Sequence, residues 1–131
     1  MIIDSSVIVA LALKEPEQRR FTEAMLDASV RRMSAGTWIE LSAVAVRRGV
    51  IKAEWLDLLL DSHAIVIEPV TLEQAFIGHM AYRRFGLGTG HKAKLNFGDC
   101  FTYALAKVTG EPLLFKGDDF GHTDVVPVFS A

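Results

Sequence analysis

Acidic residues in this 131-residue sequence stand directly after predicted strands or near the starts of predicted helices. They are Asp4, Glu40, Asp99 and the adjacent pair Asp118 and Asp119. Carboxylates within a few ångströms of one another repel, and without a cation some stay protonated near neutral pH. A divalent cation removes this conflict, and oxygen ligands suit Mg²⁺ or Mn²⁺ better than Zn²⁺. The chemistry indicated is attack on phosphorus by a metal-activated water.

Each of these acids also has a purely structural explanation. Thr37 with Glu40, and Asn96 with Asp99, have the spacing of a helix cap and a reciprocal acid in the first turn. Asp4 could cap a helix, and the Asp118-Asp119 pair could form a turn. The common position of the acids favours a site, because all of them fall where an α/β fold would place its functional edge.

The elements that would position these acids are apolar strands alternating with amphipathic helices. Predicted strands cover residues 1–4, 32–35, 64–67 and 113–115, with a further edge at 125–128. Predicted helices cover residues 5–13, a segment that starts near Pro16, and residues 37–48, 53–62, 71–85 and 96–108. Unbroken apolar strands joined by helices are typical of parallel sheets. The sequence predicts one α/β domain over residues 1–131, a three-layer α/β/α sandwich around a mainly parallel sheet.

Composition restricts the class of protein and its partners. Half of the residues are apolar and the mean hydropathy is +0.27, so we expect apolar surface to be buried against another chain. The net charge of −2 gives no overall basic field for nucleic acid. The apolar run 7–13 is too short to span a bilayer, and Cys100 is the only cysteine. These features predict a cytoplasmic protein without a membrane partner.

A basic cluster spans the end of the fifth predicted helix and the loop after it, and it is formed by Arg83, Arg84, His91, Lys92 and Lys94. Side chains of this kind contact phosphates and position a nucleic acid without reading its sequence. The same charges are equally well explained as a solvated helix end and loop. The cluster is therefore one of two open interpretations, an RNA contact or a solvated surface.

Four segments together resemble a PIN-domain ribonuclease of the VapC toxin type. They are Ile2-Ile3-Asp4-Ser5-Ser6, Glu40, Asn96-Phe97-Gly98-Asp99-Cys100 and Phe115-Lys116-Gly117-Asp118-Asp119-Phe120. The resemblance extends over essentially the whole chain. The segment around Asp99 and the segment from Lys116 to Phe120 are its most specific parts.

The resemblance implies that Asp4, Glu40 and Asp99 bind Mg²⁺ or Mn²⁺. Many members of the family carry a fourth acid where this chain has Gly117, so that role passes to Asp118 or Asp119, with Asp119 preferred. Ser5 resembles the hydroxyl residue that orients a phosphate or a metal-bound water, and Lys116 is a further candidate for RNA contact.

The resemblance also implies a biological setting. Such proteins are toxins of type II toxin–antitoxin pairs, which cut cellular RNA until a VapB-like antitoxin binds. They form homodimers and then hetero-oligomers with the antitoxin. Two alternatives remain from the residues themselves: a non-catalytic, acid-lined, Mg²⁺-binding signalling module in which Lys116 assists, and an inactive domain of the same fold, suggested by Gly117.

Overall fold

A computed structural model describes residues 1–130 and shows a four-stranded parallel sheet flanked by helices. The strands are β1 (Ile2–Ile3), β2 (Arg31–Ser34), β3 (Ile65–Glu68) and β4 (Leu113–Leu114). The helices are α1 (Ser5–Ala12), α2 (Gln18–Asp27), α3 (Ala35–Arg48), α4 (Ala53–Ser62), α5 (Leu72–Phe85) and α6 (Asp99–Thr109), and a 3₁₀ turn covers Phe120–His122. The strand order is β3-β2-β1-β4, and every pairing is parallel. The predicted α/β fold is confirmed.

The core is divided into two parts by the sheet, because successive strand residues point to opposite faces. Ile3 and Leu114 pack into the part formed with α1 to α4. Ile2 and Leu113 pack into the other part, against Phe85 of α5 and α6. The unbroken apolar runs in β1 and β4 are explained by this arrangement, since both faces of the central strands are covered by helices.

Strand β1 lies between β2 and β4. After β1 the chain adds β2 and β3 on one side of this strand, and it then returns to add β4 on the other side. The Asp4 amide still donates to the Leu114 carbonyl at 3.0 Å, after which α1 begins. Ligands of open parallel sheets bind beyond the carboxyl ends of the strands at such a reversal. The fold therefore directs attention to the space beyond β1 and β4.

Helix α3 begins earlier than the sequence predicted. Ser34, the last residue of β2, caps the helix by accepting a hydrogen bond from the Gly36 amide at 3.2 Å. The predicted cap by Thr37 is wrong, since the Thr37 hydroxyl lies 3.0 Å from that of Thr102 on α6. Glu40 consequently lies in the second turn of α3 and not in the first.

The other boundaries differ by small amounts. Helix α2 begins at Gln18, so Pro16 lies in the turn before it. Residues 125–128 form an edge beside β4 through one parallel bridge between Leu113 and Pro127. The basic loop after α5 is closed at its base, where the Leu87 amide donates to the Leu95 carbonyl at 2.8 Å. Within residues 1–130 no helix is long and apolar enough to span a membrane.

Candidate active site

The four acids Asp4, Glu40, Asp99 and Asp119 line one pocket of about 440 Å³ beyond the carboxyl ends of β1 and β4. We call it the acid pocket. Its wall also contains Ser5, Ser6, Val9, Glu15, Val44, Arg47, Arg48, Asn96, Lys116 and Phe120. Residues separated by more than 100 positions thus meet at the edge of the sheet that the strand order selects.

Asp4 is buried at the junction of β1 and α1, and both of its carboxylate oxygens accept hydrogen bonds. Oδ2 accepts from the Ser6 amide at 3.0 Å and the Ser6 hydroxyl at 2.7 Å. The predicted helix cap is therefore present. Oδ1 accepts from the Thr102 hydroxyl at 2.7 Å, which links α1 to α6. These bonds fix the carboxylate, so capping and a role in the site coexist in one residue.

Asp99 begins α6 and forms the reciprocal cap that its spacing predicts. The Asp99 amide donates to Asn96 Oδ1 at 2.9 Å, and Asp99 Oδ2 accepts from the Asn96 amide at 2.9 Å. Among the described residues no donor contacts Asp99 Oδ1. The cap thus uses one oxygen of this buried carboxylate and leaves the other available to a ligand.

Glu40 reaches the acid pocket from α3 and approaches the N-terminus of α6. Its Oε1 accepts a hydrogen bond from the Ser5 hydroxyl at 2.8 Å. Its Oε2 lies against the α-carbon of Gly98, in the position that a Cβ at residue 98 would occupy. Glu40 therefore contacts α1 through one oxygen and the start of α6 through the other.

Burial, together with the nearby acids, raises the pKa values of two carboxyl groups in the pocket. Burial raises the pKa of Asp99 to about 7, and the charges of Asp4, Glu40 and Asp119 act in the same direction, although the Asn96 amide opposes them. Burial also raises the pKa of Glu40, and the Asp4 charge adds to this, whereas the Ser5 hydroxyl and Arg47 lower it. The site therefore carries negative charge that a bound cation would stabilise.

The two candidates for the fourth acid occupy different surroundings. Asp119 lines the acid pocket, and its charge contributes to the raised pKa of Asp99. Asp118 lines a separate cavity near Phe129. Gly117 has φ of +96°, a conformation that favours glycine, and the chain turns there before both acids.

The donor set fits a hard divalent cation that retains part of its water shell. Carboxylate and hydroxyl oxygens are the ligands present, and Mg²⁺ is usually held by one or two carboxylates, waters and substrate phosphates. Within residues 1–130 no three Asp, Glu, His or Cys side chains are already gathered around one point.

The predicted basic cluster does not join the acids. Arg83, Arg84, His91, Lys92 and Lys94 are all absent from the wall of the acid pocket. The Arg84 guanidinium lies 4.6 Å from the centre of the Phe85 ring and 4.0 Å from the Asp124 carboxylate. The His91 ring packs edge-on against Phe85.

Lys116 does line the acid pocket, but its ammonium group is paired with two glutamates, of which Glu15 lines the same pocket and Glu17 lines a separate cavity. It contacts Glu15, and its Nζ lies 3.2 Å from Glu17 Oε2. These hydrogen bonds raise the pKa of Lys116. An RNA phosphate would have to compete with both carboxylates for this ammonium group.

Arg47 and Thr102 are among the residues of the site that sequence reasoning missed. Arg47 lines the acid pocket seven positions after Glu40, two turns along the same face of α3. Thr102 follows Asp99 by three positions, one turn along α6, and it holds Asp4. Helical periodicity applied to the acids themselves would have identified both residues.

Cys100, next to Asp99, is a buried thiol. Burial raises its pKa to about 11, so it stays protonated near neutral pH.

The signalling-module alternative is not favoured by the geometry, because Lys116 is paired with glutamates. In addition, Glu68 ends the edge strand β3 and forms an ion pair with Arg32 at 2.7 Å.

Comparisons with known proteins identify the family of this chain. A sequence model of the PIN domain matches residues 1–126. The chain is 48% identical over 128 residues to Ribonuclease VapC42 of Mycobacterium tuberculosis, covering 97% of this chain and 98% of that protein. It is 45% identical over 126 residues to Ribonuclease VapC28 of the same species, covering 95% of each chain.

Solved structures show the same fold at low sequence identity. The crystal structure of Mycobacterium tuberculosis VapC20, described as a sarcin-ricin loop cleaving toxin, gives a TM-score of 0.71 at 16% identity and covers 97% of both chains. A chain of a toxin-antitoxin complex from Klebsiella pneumoniae gives 0.67 at 16% identity, covering 95% of this chain and 93% of that one. The family match and the close relatives together establish that this chain belongs to the PIN-domain family.

Proposed function

We propose that this protein is a metal-dependent endoribonuclease and the toxin of a VapBC-type toxin–antitoxin pair. The observation that carries the proposal is the acid pocket, where Asp4, Glu40, Asp99 and Asp119 come from distant parts of the chain. Burial raises the pKa of Asp99, and the charges of Asp4, Glu40 and Asp119 add to this, so a cation in the pocket would favour the ionised carboxylate. Relatives 45–48% identical to this chain are named ribonucleases, which supports RNA as the substrate.

The acids have separate roles in this proposal. Asp4 and Asp99 are the primary ligands of Mg²⁺ or Mn²⁺, and Glu40 and Asp119 complete or orient the ligand shell. A bound ion of this type supplies positive charge for the phosphate oxygens and a more acidic water. The hydrogen bonds from Thr102 and Ser6 hold Asp4 in one orientation, so its carboxylate needs no rearrangement when the RNA arrives.

Basic side chains at the acid pocket would hold the RNA backbone. Arg47 lines the wall close enough to Glu40 to lower its pKa, and a guanidinium group there can bind a phosphate through two parallel hydrogen bonds. Arg48 lines the same wall. Ser5, which donates to Glu40, is placed to orient a phosphate or a water when Glu40 binds the ion.

Residues outside the pocket belong to a longer RNA path in this proposal. The cluster of Arg83, Arg84, His91, Lys92 and Lys94 would contact phosphates away from the cleavage position and contribute affinity without sequence selection. Lys116 would contribute once an RNA phosphate displaces its glutamate partners.

Association with other chains is the second part of the proposal. Leu72, Phe76 and Met80 recur every four residues along α5, and Leu72 and Phe76 are 89% and 64% exposed. Phe97, beside the acid pocket, is 75% exposed. Exposed apolar stripes of this kind mark protein interfaces. We assign them to a homodimer, which a VapB-like antitoxin binds in a hetero-oligomer located in the cytoplasm.

The proposed function is tested with purified, antitoxin-free protein and total cellular RNA. Cleavage should occur with Mg²⁺ or Mn²⁺, stop in EDTA, and be lost in the Asp99→Asn variant, which keeps an oxygen for the Asn96 amide and should fold normally. Cleavage by a folded Asp99→Asn variant equal to that of the parent would contradict the assigned site. No cleavage of any RNA by the folded parent would favour the inactive-domain alternative.

A further inference from the structure

Helices α3 and α6 approach each other closely at two glycines, one on each side of the contact. Gly36 of α3 lies beneath the Phe101 ring of α6, and a Cβ at residue 36 would overlap that ring. Gly98, directly before α6, lies beneath the Glu40 carboxylate of α3. Gly36 therefore leaves space for a side chain of α6, and Gly98 leaves space for a side chain of α3.

The backbone does not require glycine at residue 98. Its φ of −63° and ψ of −37° are ordinary right-handed helical values, which any residue adopts readily. Gly117 is different, because its φ of +96° lies in the region that favours glycine. What distinguishes Gly98 is space, since a side chain there would take the position of Glu40 Oε2.

We infer that Gly98 is a positioning residue of the active site, whose missing side chain admits the Glu40 carboxylate to its place beside Asp99. Its effect on RNA cleavage rests on the proposed function. Its effect on the packing of Glu40 does not, because that follows from the contact alone.

The Glu40 carboxylate is the end of a flexible side chain, so it is the group that moves when residue 98 is enlarged. Its Oε1 accepts a hydrogen bond from the Ser5 hydroxyl at 2.8 Å, and a move that turns the carboxylate away loses this hydrogen bond. Helix α3 cannot shift freely. The hydroxyls of Thr37 and Thr102, 3.0 Å apart in the interior, and the Phe101 ring on Gly36 hold it against α6. A methyl group at residue 98 must therefore displace the carboxylate.

Thermal unfolding of the metal-free protein tests the packing directly. Gly98→Ala should lower the melting temperature in the parent chain. In a Glu40→Ala background the same change should leave it unchanged or raise it, because alanine at helical φ and ψ restricts the unfolded chain. Gly121→Ala is the matched control, since a Cβ there meets nothing within 4 Å. Equal effects of Gly98→Ala in both backgrounds would overturn the inference.

RNA cleavage and Mn²⁺ binding test the consequence for the site. Gly98→Ala should reduce cleavage by about 100-fold, the scale of a misplacement of about 1 Å, and should weaken Mn²⁺ binding measured by calorimetry. In a Glu40→Asp background, whose shorter side chain already withdraws from residue 98, it should add little further loss. Full cleavage and Mn²⁺ binding by Gly98→Ala would overturn the inference. If the parent chain cleaves no RNA, the unfolding measurements still decide the role of Gly98.

Discussion

Replacing Asp99 by Asn is expected to stabilise the metal-free protein near neutral pH while removing a proposed metal ligand. Burial, together with the charges of Asp4, Glu40 and Asp119, raises the pKa of Asp99 from 3.8 to about 7. Between these values the folded protein keeps a proton that the unfolded chain has released. The free energy of unfolding therefore falls as the pH rises through this range, and the loss is complete above the folded pKa.

The size of the effect follows from the difference between the two pKa values. The folded and unfolded pKa values of Asp99 differ by about three pH units, and one pH unit corresponds to about 1.4 kcal/mol. Ionisation of Asp99 therefore lowers the free energy of unfolding by about 4 kcal/mol. The raised pKa of Glu40 acts in the same direction. Because small domains are stable by about 5–15 kcal/mol, a loss of this size is readily measured.

Urea unfolding in EDTA at about pH 5 and about pH 8 measures this effect. The parent should have a lower free energy of unfolding at the higher pH. The Asp99→Asn variant should lose less free energy of unfolding between the two pH values, and at the higher pH it should be more stable than the parent. Mg²⁺ or Mn²⁺ should then stabilise the parent more than the variant, since a ligand that binds only the folded state stabilises it. Asp118→Asn removes the same charge outside the acid pocket and serves as the control. A parent equally stable at both pH values would refute the reasoning.

The remaining predictions concern the fourth acid and the basic wall of the acid pocket, which is formed by Arg47 and Arg48. Asp119→Asn should weaken divalent-ion affinity and RNA cleavage about 10- to 100-fold, and Asp118→Asn should leave both nearly unchanged; equal losses would contradict the assignment to Asp119. Arg47→Ala should raise KM for RNA and reduce the slope of log affinity against log salt by about one, as loss of one phosphate contact requires. The control variant Arg19→Ala, on the exposed surface of α2, should change neither KM nor the salt dependence. An unaltered KM in Arg47→Ala would exclude the phosphate contact.

The order of the elements could be predicted from the sequence because the strands are buried on both faces. Because β1 and β4 are buried on both faces, their residues are apolar without a break, and helices with one apolar face separate the strands in the sequence. Asp4 and Asp99 could be located for a related reason. Each belongs to a local cap, and a cap leaves a short-range spacing that is visible in the sequence.

The start of α3 could not be predicted in the same way, because two residues compete for the cap. Ser34 and Thr37 are both good capping residues, and Thr37 also has an acid three positions later. The outcome is decided by tertiary contacts: β2 extends to Ser34, and the Thr37 hydroxyl is used by Thr102 on a distant helix. Local spacing carries no information about that partner.

The basic wall of the acid pocket was missed because charge density was used as the guide. Five Arg, His and Lys side chains lie close together in the last turn of α5 and the loop after it, so they dominate any count along the sequence. Arg47 and Arg48 are only a pair at the end of α3. Proximity to a site is set by the face of a helix and not by local charge density. Starting from Glu40 and following one face of α3 leads to Val44 and Arg47.

Gly98 shows why the same sequence feature can have opposite causes. Gly98 and Gly117 stand in the two most specific motifs of the chain, and without coordinates both suggest a turn. Gly117 does adopt a turn conformation with φ of +96°, whereas Gly98 has helical angles and is required for space. The distinction depends on Glu40, which lies 58 positions earlier in the sequence. A glycine that makes room for a side chain from a distant part of the sequence therefore leaves no local signal, and only the packing of α3 on α6 reveals it.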